Sequence, residues 1–271
     1  MKKITKLFLI MAACTLLSAC GQKKKATPIL TKNQVIKKAQ KAAHSGEAIQ
    51  TFKIKTATSS NYISSDIWYG GNPLVLNIVY QQFNSNGNQS NKTSMWVNSN
   101  GIAYIHGQKW YKTNLVKFTG HNFYDFYNAS SQSPMLVDPA DSLIKAYKMK
   151  RQGQTYTLTA TIKDKSILDD ALNPILNTAS LGTKQQEAFN NFLKKSKFKN
   201  ITVKLVYKNG QLASFNYTVH YKLQIYQLEL SQQIGNQGKQ DMLTMPQETG
   251  NAVDLPTNKN SKSNQANKNS K

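Results

Sequence analysis

The chain has only two cysteines, Cys14 and Cys20, and both fall within its first twenty residues. Everything after Cys20 is therefore without a thiol, which excludes disulfide staples, thiolate metal sites and thiol catalysis from that part. Arginine is almost absent: of 35 basic residues only Arg151 is one. Sequence-specific readers of nucleic acid rely on arginine's bidentate fork, so no nucleic-acid partner is expected. Acidic residues are few as well, 13 in all, and the formal net charge is +22. An almost all-lysine excess suits salt-sensitive attraction to an anionic surface, a membrane or a phosphate-rich wall polymer, although it also fits a merely solvated exterior. Catalytic signatures are missing too: there is no Gly-x-Ser-x-Gly, His-Glu-x-x-His, Walker loop or dinucleotide fingerprint. The four histidines, His44, His106, His121 and His220, lack ligand spacing, and Asp169 and Asp170 are helix neighbours about 100° apart rather than an acid/base pair. No enzyme, no metal and no cofactor is expected.

Long apolar runs are also lacking. The longest, Leu7 to Leu17, follows the basic start MKKITK and spans eleven positions, short of the roughly 20 that a membrane-crossing helix needs. A positive start, a short apolar run and small residues at its end form the layout of a secretory signal. The tetrad Leu17-Ser18-Ala19-Cys20 then resembles the lipobox of bacterial lipoproteins. The resemblance implies removal of residues 1–19 and diacylglycerylation of Cys20, which anchors the chain on the outer face of the cytoplasmic membrane. Two or more acyl chains hold firmly, at about 0.8 kcal/mol per buried methylene. Lys23, Lys24 and Lys25 would add about 1 kcal/mol each against anionic headgroups.

Residues 20–30 read as a lipidated tether, 31–245 as a single folded domain, and 246–271, rich in Lys, Asn and Ser, as a disordered tail unable to bury enough surface to offset its ordering entropy. The domain opens with a capping-box pattern at Thr31 and Gln34, followed by Val35, Ile36, Ala39, Ala42 and Ala43 on one face, a helix of roughly four turns ending at Gly46. The apolar period then falls to two, and short segments separated by Gly70-Gly71-Asn72-Pro73, Asn86-Gly87, Asn100-Gly101 and Gly107-Gln108 predict an antiparallel meander. A helical middle follows, with Asp138-Pro139 opening one helix, Ile167 to Leu172 another interrupted by Pro174, and a second capping box at Thr183 and Gln186 a third. Between the first two, Thr155 to Lys163 alternates as a strand. Asn209-Gly210 predicts a type I′ hairpin, and the shift of apolar residues from odd to even positions near Ile225-Tyr226 predicts a bulge. The fold class is α+β: a curved antiparallel sheet, a half-barrel, covering helices in one domain.

DIWYGGNPLVLNIVYQ, MWVNSNGIAYIHGQKWYKTN and TYTLTATIKDKSILDDALN, in that order behind a lipobox, make residues 31 to 230 similar to a lipoprotein domain family of Gram-positive bacteria, within the superfamily of Lol carriers and mycobacterial lipid-binding lipoproteins. That resemblance implies a space between sheet and helices that holds acyl chains. Aromatic residues crowd the meander, and alternation offers Trp68, Tyr80, Trp96, Tyr104 and Trp110 as candidate ligand-binding residues, though in sheets most such rings serve as cross-strand pairs and core. The expected function is a membrane-anchored, non-enzymatic lipoprotein that binds a lipid or other apolar ligand for envelope transport or assembly. The alternative is a cavity-less adhesion or scaffold module contacting anionic wall polymers.

Overall fold

The structure, a computed structural model, describes residues 28–41, 43–176, 178 and 183–256, the stretch 183–186 and positions 188 and 189 as backbone only. Cys20, the signal segment and most of the tether lie outside these residues. The described residues from Lys32 onward form one compact unit. A short helix, α1 (Lys32–Ala39), precedes six strands that follow one another in space: β1 (Gly46–Lys55), β2 (Ser60–Gly70), β3 (Val75–Phe83), β4 (Gln89–Asn98), β5 (Ile102–His106) and β6 (Trp110–Asn114). Four helices come next: α2 (Leu115–Thr119), α3 (Phe123–Ser131), α4 (Pro134–Val137) and α5 (Asp141–Ala146). The hairpin β7 (Lys148–Gln152) and β8 (Thr155–Ile162) leads to α6 (Leu168–Leu176) and α7 (Thr183–Lys195). Three long strands, β9 (Lys197–Lys208), β10 (Gln211–Leu223) and β11 (Tyr226–Gly235), and the short β12 (Val253–Asp254) complete the described chain.

All twelve strands join one open, curved sheet in the order β12-β6-β5-β4-β3-β2-β1-β11-β10-β9-β8-β7. Every pairing is antiparallel except β12 beside β6, so the class is α+β with a large mixed sheet. The sheet is continuous because β11 returns to pair with β1, joining the N-terminal meander to the C-terminal strands. Helices α3 and α6 pack on the centre of one face. There Ile67, Tyr69, Leu76, Ile78, Met95, Val97 and Ala103 meet Leu115, Phe123 and Phe126 from α2 and α3 in a closed core. Strand alternation does the sorting: in β8, Tyr156, Leu158, Ala160 and Ile162 point to the helices while the threonines between them point away.

Several local expectations are met and others corrected. The Asn209-Gly210 turn has both residues at positive φ, 51° and 85°, as a type I′ hairpin requires. The phase shift near Ile225 is a second hairpin turn rather than a bulge: Leu223 pairs with Tyr226 across Gln224 and Ile225. Bulges fall instead between Leu212 and Ser214 and between His220 and Tyr221. Helix α1 is half its expected length, because Gly46 is used in β1, where a Cβ would sit 2.7 Å from the Tyr69 hydroxyl. The helix expected at Asp138-Pro139 starts at Asp141. Pro174 lies inside α6, which ends two residues later. Residues 246–256 are not a free tail: they form a 3-10 turn at Gln247–Asn251 and then β12, with the Leu255 N–H donating to the Lys112 carbonyl (2.9 Å). After β11 the chain passes so close to the β2–β3 turn that a Cβ on Gly71 would lie 2.0 Å from the Leu243 carbonyl oxygen, and Gly71 has φ +85°.

Candidate functional site

Over β1 to β4 the closed core ends at one row of the sheet, whereas over β9 to β11 it continues past that row through Ile201, Val219, Leu228 and Leu230. Register aligns Tyr217 (β10), Gln232 (β11), Gln50 (β1), Ser65 (β2), Tyr80 (β3) and Thr93 (β4) side by side on the helix-facing surface. This row is polar where its neighbours from β10 to β2 are apolar, and the reason lies in the helices above it. The last carbonyls of an α-helix have no partner within the helix. Tyr217 Oη donates to the Ala171 carbonyl of α6 (2.8 Å), and Gln232 Nε2 donates to the Ala129 carbonyl of α3 (2.6 Å). Gln50 Nε2 donates to the Pro174 carbonyl of α6 (3.1 Å), while its Oε1 accepts from the Thr178 hydroxyl. Tyr80 Oη donates to the Thr178 carbonyl (3.0 Å). Burial pushes the Tyr217 phenol well above its ordinary pKa, so it stays a neutral donor. The row thus ties the C-terminal turns of α3 and α6, at Ala129 and Pro174, and the middle of α6, at Ala171, to the sheet.

Ser65 is the exception. It is 4% exposed, and its Oγ has no partner. It faces a crevice bounded by Gln50 and Phe52 of β1, Ile63 of β2, Tyr80 of β3 and Ile175 of α6. The crevice is small, about 20 Å³, room for about one water molecule, and it opens to solvent. Beyond it toward the β1–β2 turn, Phe52, Ile54 and Ile63 are only partly covered although they face the helix side. The site has an apolar mouth and a polar inner end. That inner end offers a serine hydroxyl, a partnered amide and a tyrosine; it has neither a general base nor a charged group, so the arrangement can bind but supplies no acid/base chemistry of its own.

Of the five aromatic residues singled out in the sequence, only Tyr80 lines this crevice. Trp68, Trp96 and Tyr104 come together on the opposite face, in a row that runs Glu47, Trp68, Asn77, Trp96, Tyr104, Lys112. Trp110 is also on that face, against His106, with ring centres 4.8 Å apart. The five do not share one pocket, because each of the four lies at odd register from the residues that meet the helices. Gln50, Ser65 and Ile63 were missed. The signal that could have found Gln50 was a lone amide interrupting the apolar alternation Ala48, Phe52, Ile54.

Among the described residues no group of His, Cys, Asp or Glu could hold a metal ion, and no helix is long and apolar enough to cross a membrane. Arg151 is occupied within its own hairpin, donating to the Gly153 carbonyl and lying over the Tyr156 ring.

No family model matches the chain, and no curated protein matches it. Among solved structures it is similar to an inactive mutant of CurK dehydratase (9% identity, 77% of this chain and 88% of that one, TM-score 0.17). It is likewise similar to the dehydratase domain from the CurK module of curacin polyketide synthase (7%, 77% and 88%, TM-score 0.18) and to an N-terminal dehydratase from the difficidin assembly line (8%, 78% and 83%, TM-score 0.13). Scores this low establish neither a shared fold nor a shared activity.

Proposed function

We propose that the chain is a lipoprotein anchored through Cys20 on the outer face of the cytoplasmic membrane, whose half-barrel sheet and helices take up a lipid or other apolar ligand without catalysis, in envelope transport or assembly. The observation that carries this is the crevice: apolar walls from Phe52, Ile63 and Ile175, with an unpartnered buried hydroxyl at its inner end. Ligand pockets are usually about 300–1,000 Å³, against about 20 Å³ here, so an acyl chain enters only if the end of α6 moves. Three hydrogen bonds hold that end, from Gln50, Thr178 and Tyr80. At about 0.5–1.5 kcal/mol each they are offset by burying roughly two to six methylenes at about 0.8 kcal/mol apiece. An acyl chain exceeds that.

Fluorescent fatty acid titrated into the purified protein should bind, and Ile63→Trp, which fills the crevice, should weaken binding at least about tenfold at unchanged urea midpoint, since about 1.4 kcal/mol is a factor of ten. No fatty-acid binding together with no lipid in an organic extract of the native protein would sink the proposal. Replacing Cys20 with Ala should abolish metabolic acyl labelling; persistent labelling refutes the anchor.

A second reading, a scaffold module touching anionic wall polymers, draws support from exposed lysines such as Lys148, Lys150, Lys197, Lys199 and Lys204. It requires retention on such polymers that fades as salt shortens the Debye length from about 10 Å at 0.1 M toward about 3 Å at 1 M.

A further inference from the structure

The β10–β11 hairpin makes two choices that folding alone disfavours. Its two-residue turn places Gln224 at φ 52°, a left-handed conformation for which glycine or asparagine is the ordinary choice. The next residue, Ile225, is 70% exposed, and Tyr226 is 40% exposed. An isoleucine at the tip of a turn gains nothing in water. A partner that is itself apolar would account for it.

The surroundings of the tip say which kind. Lys222 precedes the turn and pairs across the sheet with Lys197. Lys199 is the extra residue of the bulge opposite His220 and Tyr221, and it lines a surface hollow of about 180 Å³ with His220, Lys222, Gln227 and Glu229. Lys194 and Lys195 close the last turn of α7 just before β9 begins. All five lysines are exposed. The one carboxylate in the hollow, Glu229, is already bound by Lys55. An apolar point ringed by cations, with a tyrosine at its base, matches the layered chemistry of a bilayer surface: acyl chains below, phosphates above, and an amphipathic ring at the boundary.

We infer that the β10–β11 tip is a docking surface for an anionic lipid bilayer, Ile225 entering the acyl boundary while Lys197, Lys199 and Lys222 contact headgroup phosphates. A soluble polyanion would engage the lysines and leave the isoleucine exposed, so the apolar tip decides for lipid. The crevice mouth opens at this same end of the sheet, since Phe52 and Ile54 of β1 pair with Leu230 and Leu228 of β11. Docking would bring that mouth to the membrane. The inference goes beyond the ligand reading and stands without it.

The test uses the full chain with Cys14 and Cys20 changed to Ser, carrying a single environment-sensitive NBD label at Ile225→Cys or, at the far end of the sheet, at Asn100→Cys. On vesicles of equimolar phosphatidylglycerol and phosphatidylcholine, emission from position 225 should shift to the blue while that from position 100 does not. Because both proteins keep the same N-terminal segment, binding through that segment moves neither label selectively. Adding Lys197→Glu and Lys222→Glu should lower apparent vesicle affinity about fivefold or more per lysine. No shift at 225, an equal shift at both positions, affinity indifferent to the charge reversals, or an equal shift with soluble polyphosphate would each overturn the assignment.

Discussion

Two ends of one sheet face, built from the same strands, are treated differently. On one side of the polar row, Ile67, Leu76, Ile78, Met95 and Val97 are sealed beneath α2 and α3, and Phe126 is wholly buried among them. On the other side, Phe52, Ile54 and Ile63 face the same way and remain partly open, because α6 stops at Leu176 above them. Residue type separates the two ends only in part: the open end mixes Phe52, Ile54 and Ile63 with Asn61, Gln82 and Asn91 on the same face. The other difference is where helices terminate, and the ends of α3 and α6 are held by Gln232, Gln50 and Tyr80. One end is the foundation of the fold. The other is a place where, over β1 and β2, the described residues leave apolar surface only partly covered.

The difference can be broken experimentally, beginning with the foundation. Phe126→Ala should cost about 3–5 kcal/mol, the usual loss for a buried phenylalanine, whereas Phe52→Ala should cost less than half as much; urea denaturation decides, and equal losses would erase the distinction. Gln50→Ala removes one donor to the Pro174 carbonyl, which keeps the Thr178 hydroxyl at 2.9 Å, and should cost about 0.5–1.5 kcal/mol. By loosening the end of α6 it should also speed uptake of fluorescent fatty acid. Gln232→Ala should cost a similar amount, since it strips the Ala129 carbonyl, but leave uptake unchanged. If the two variants take up ligand alike, the crevice is not the entry.

Smaller effects sharpen the contrast. Ser65→Ala removes a buried hydroxyl that has no partner, so stability should hold or rise by up to about 1 kcal/mol. A clear loss would reveal a bond at Ser65 Oγ. His220, on the opposite face beside Glu229 and Lys55, has its pKa lowered, chiefly by burial, with Glu229 opposing and Lys55 adding. The fold therefore favours the neutral ring. Its contribution is full above the unfolded value near 6.5 and is lost as pH falls through the lower folded value. The urea midpoint should decline modestly between pH 7 and pH 5, and His220→Gln should flatten that decline.

The strands were legible because alternation is local: β8, with buried residues at every even position from Tyr156 to Ile162, can be read without knowing its neighbours. The Asn209-Gly210 hairpin is legible for the same reason. The continuity of the sheet was not, because the pairing of β1 with β11 joins residues nearly two hundred positions apart and leaves no local trace. The facing of the tryptophans was equally hidden. Alternation tells which residues share a side, not which side receives the helices, and that choice follows from α3 and α6. The site itself was recoverable in only one residue, Tyr80, since Gln50 and Ser65 matter through helix ends that no short window contains.

The sheet's rims bear on how such molecules behave when crowded. The β7 rim carries Lys148, Lys150 and Arg151, and the opposite rim is overlaid by β12 alongside β6. A naked strand margin invites a neighbour to add itself, whereas a charged or occupied one turns it away. Were the chain confined to a plane, as the proposed anchor would have it, collisions would be far more frequent than in bulk solution, and repulsive rims of this kind would keep copies separate.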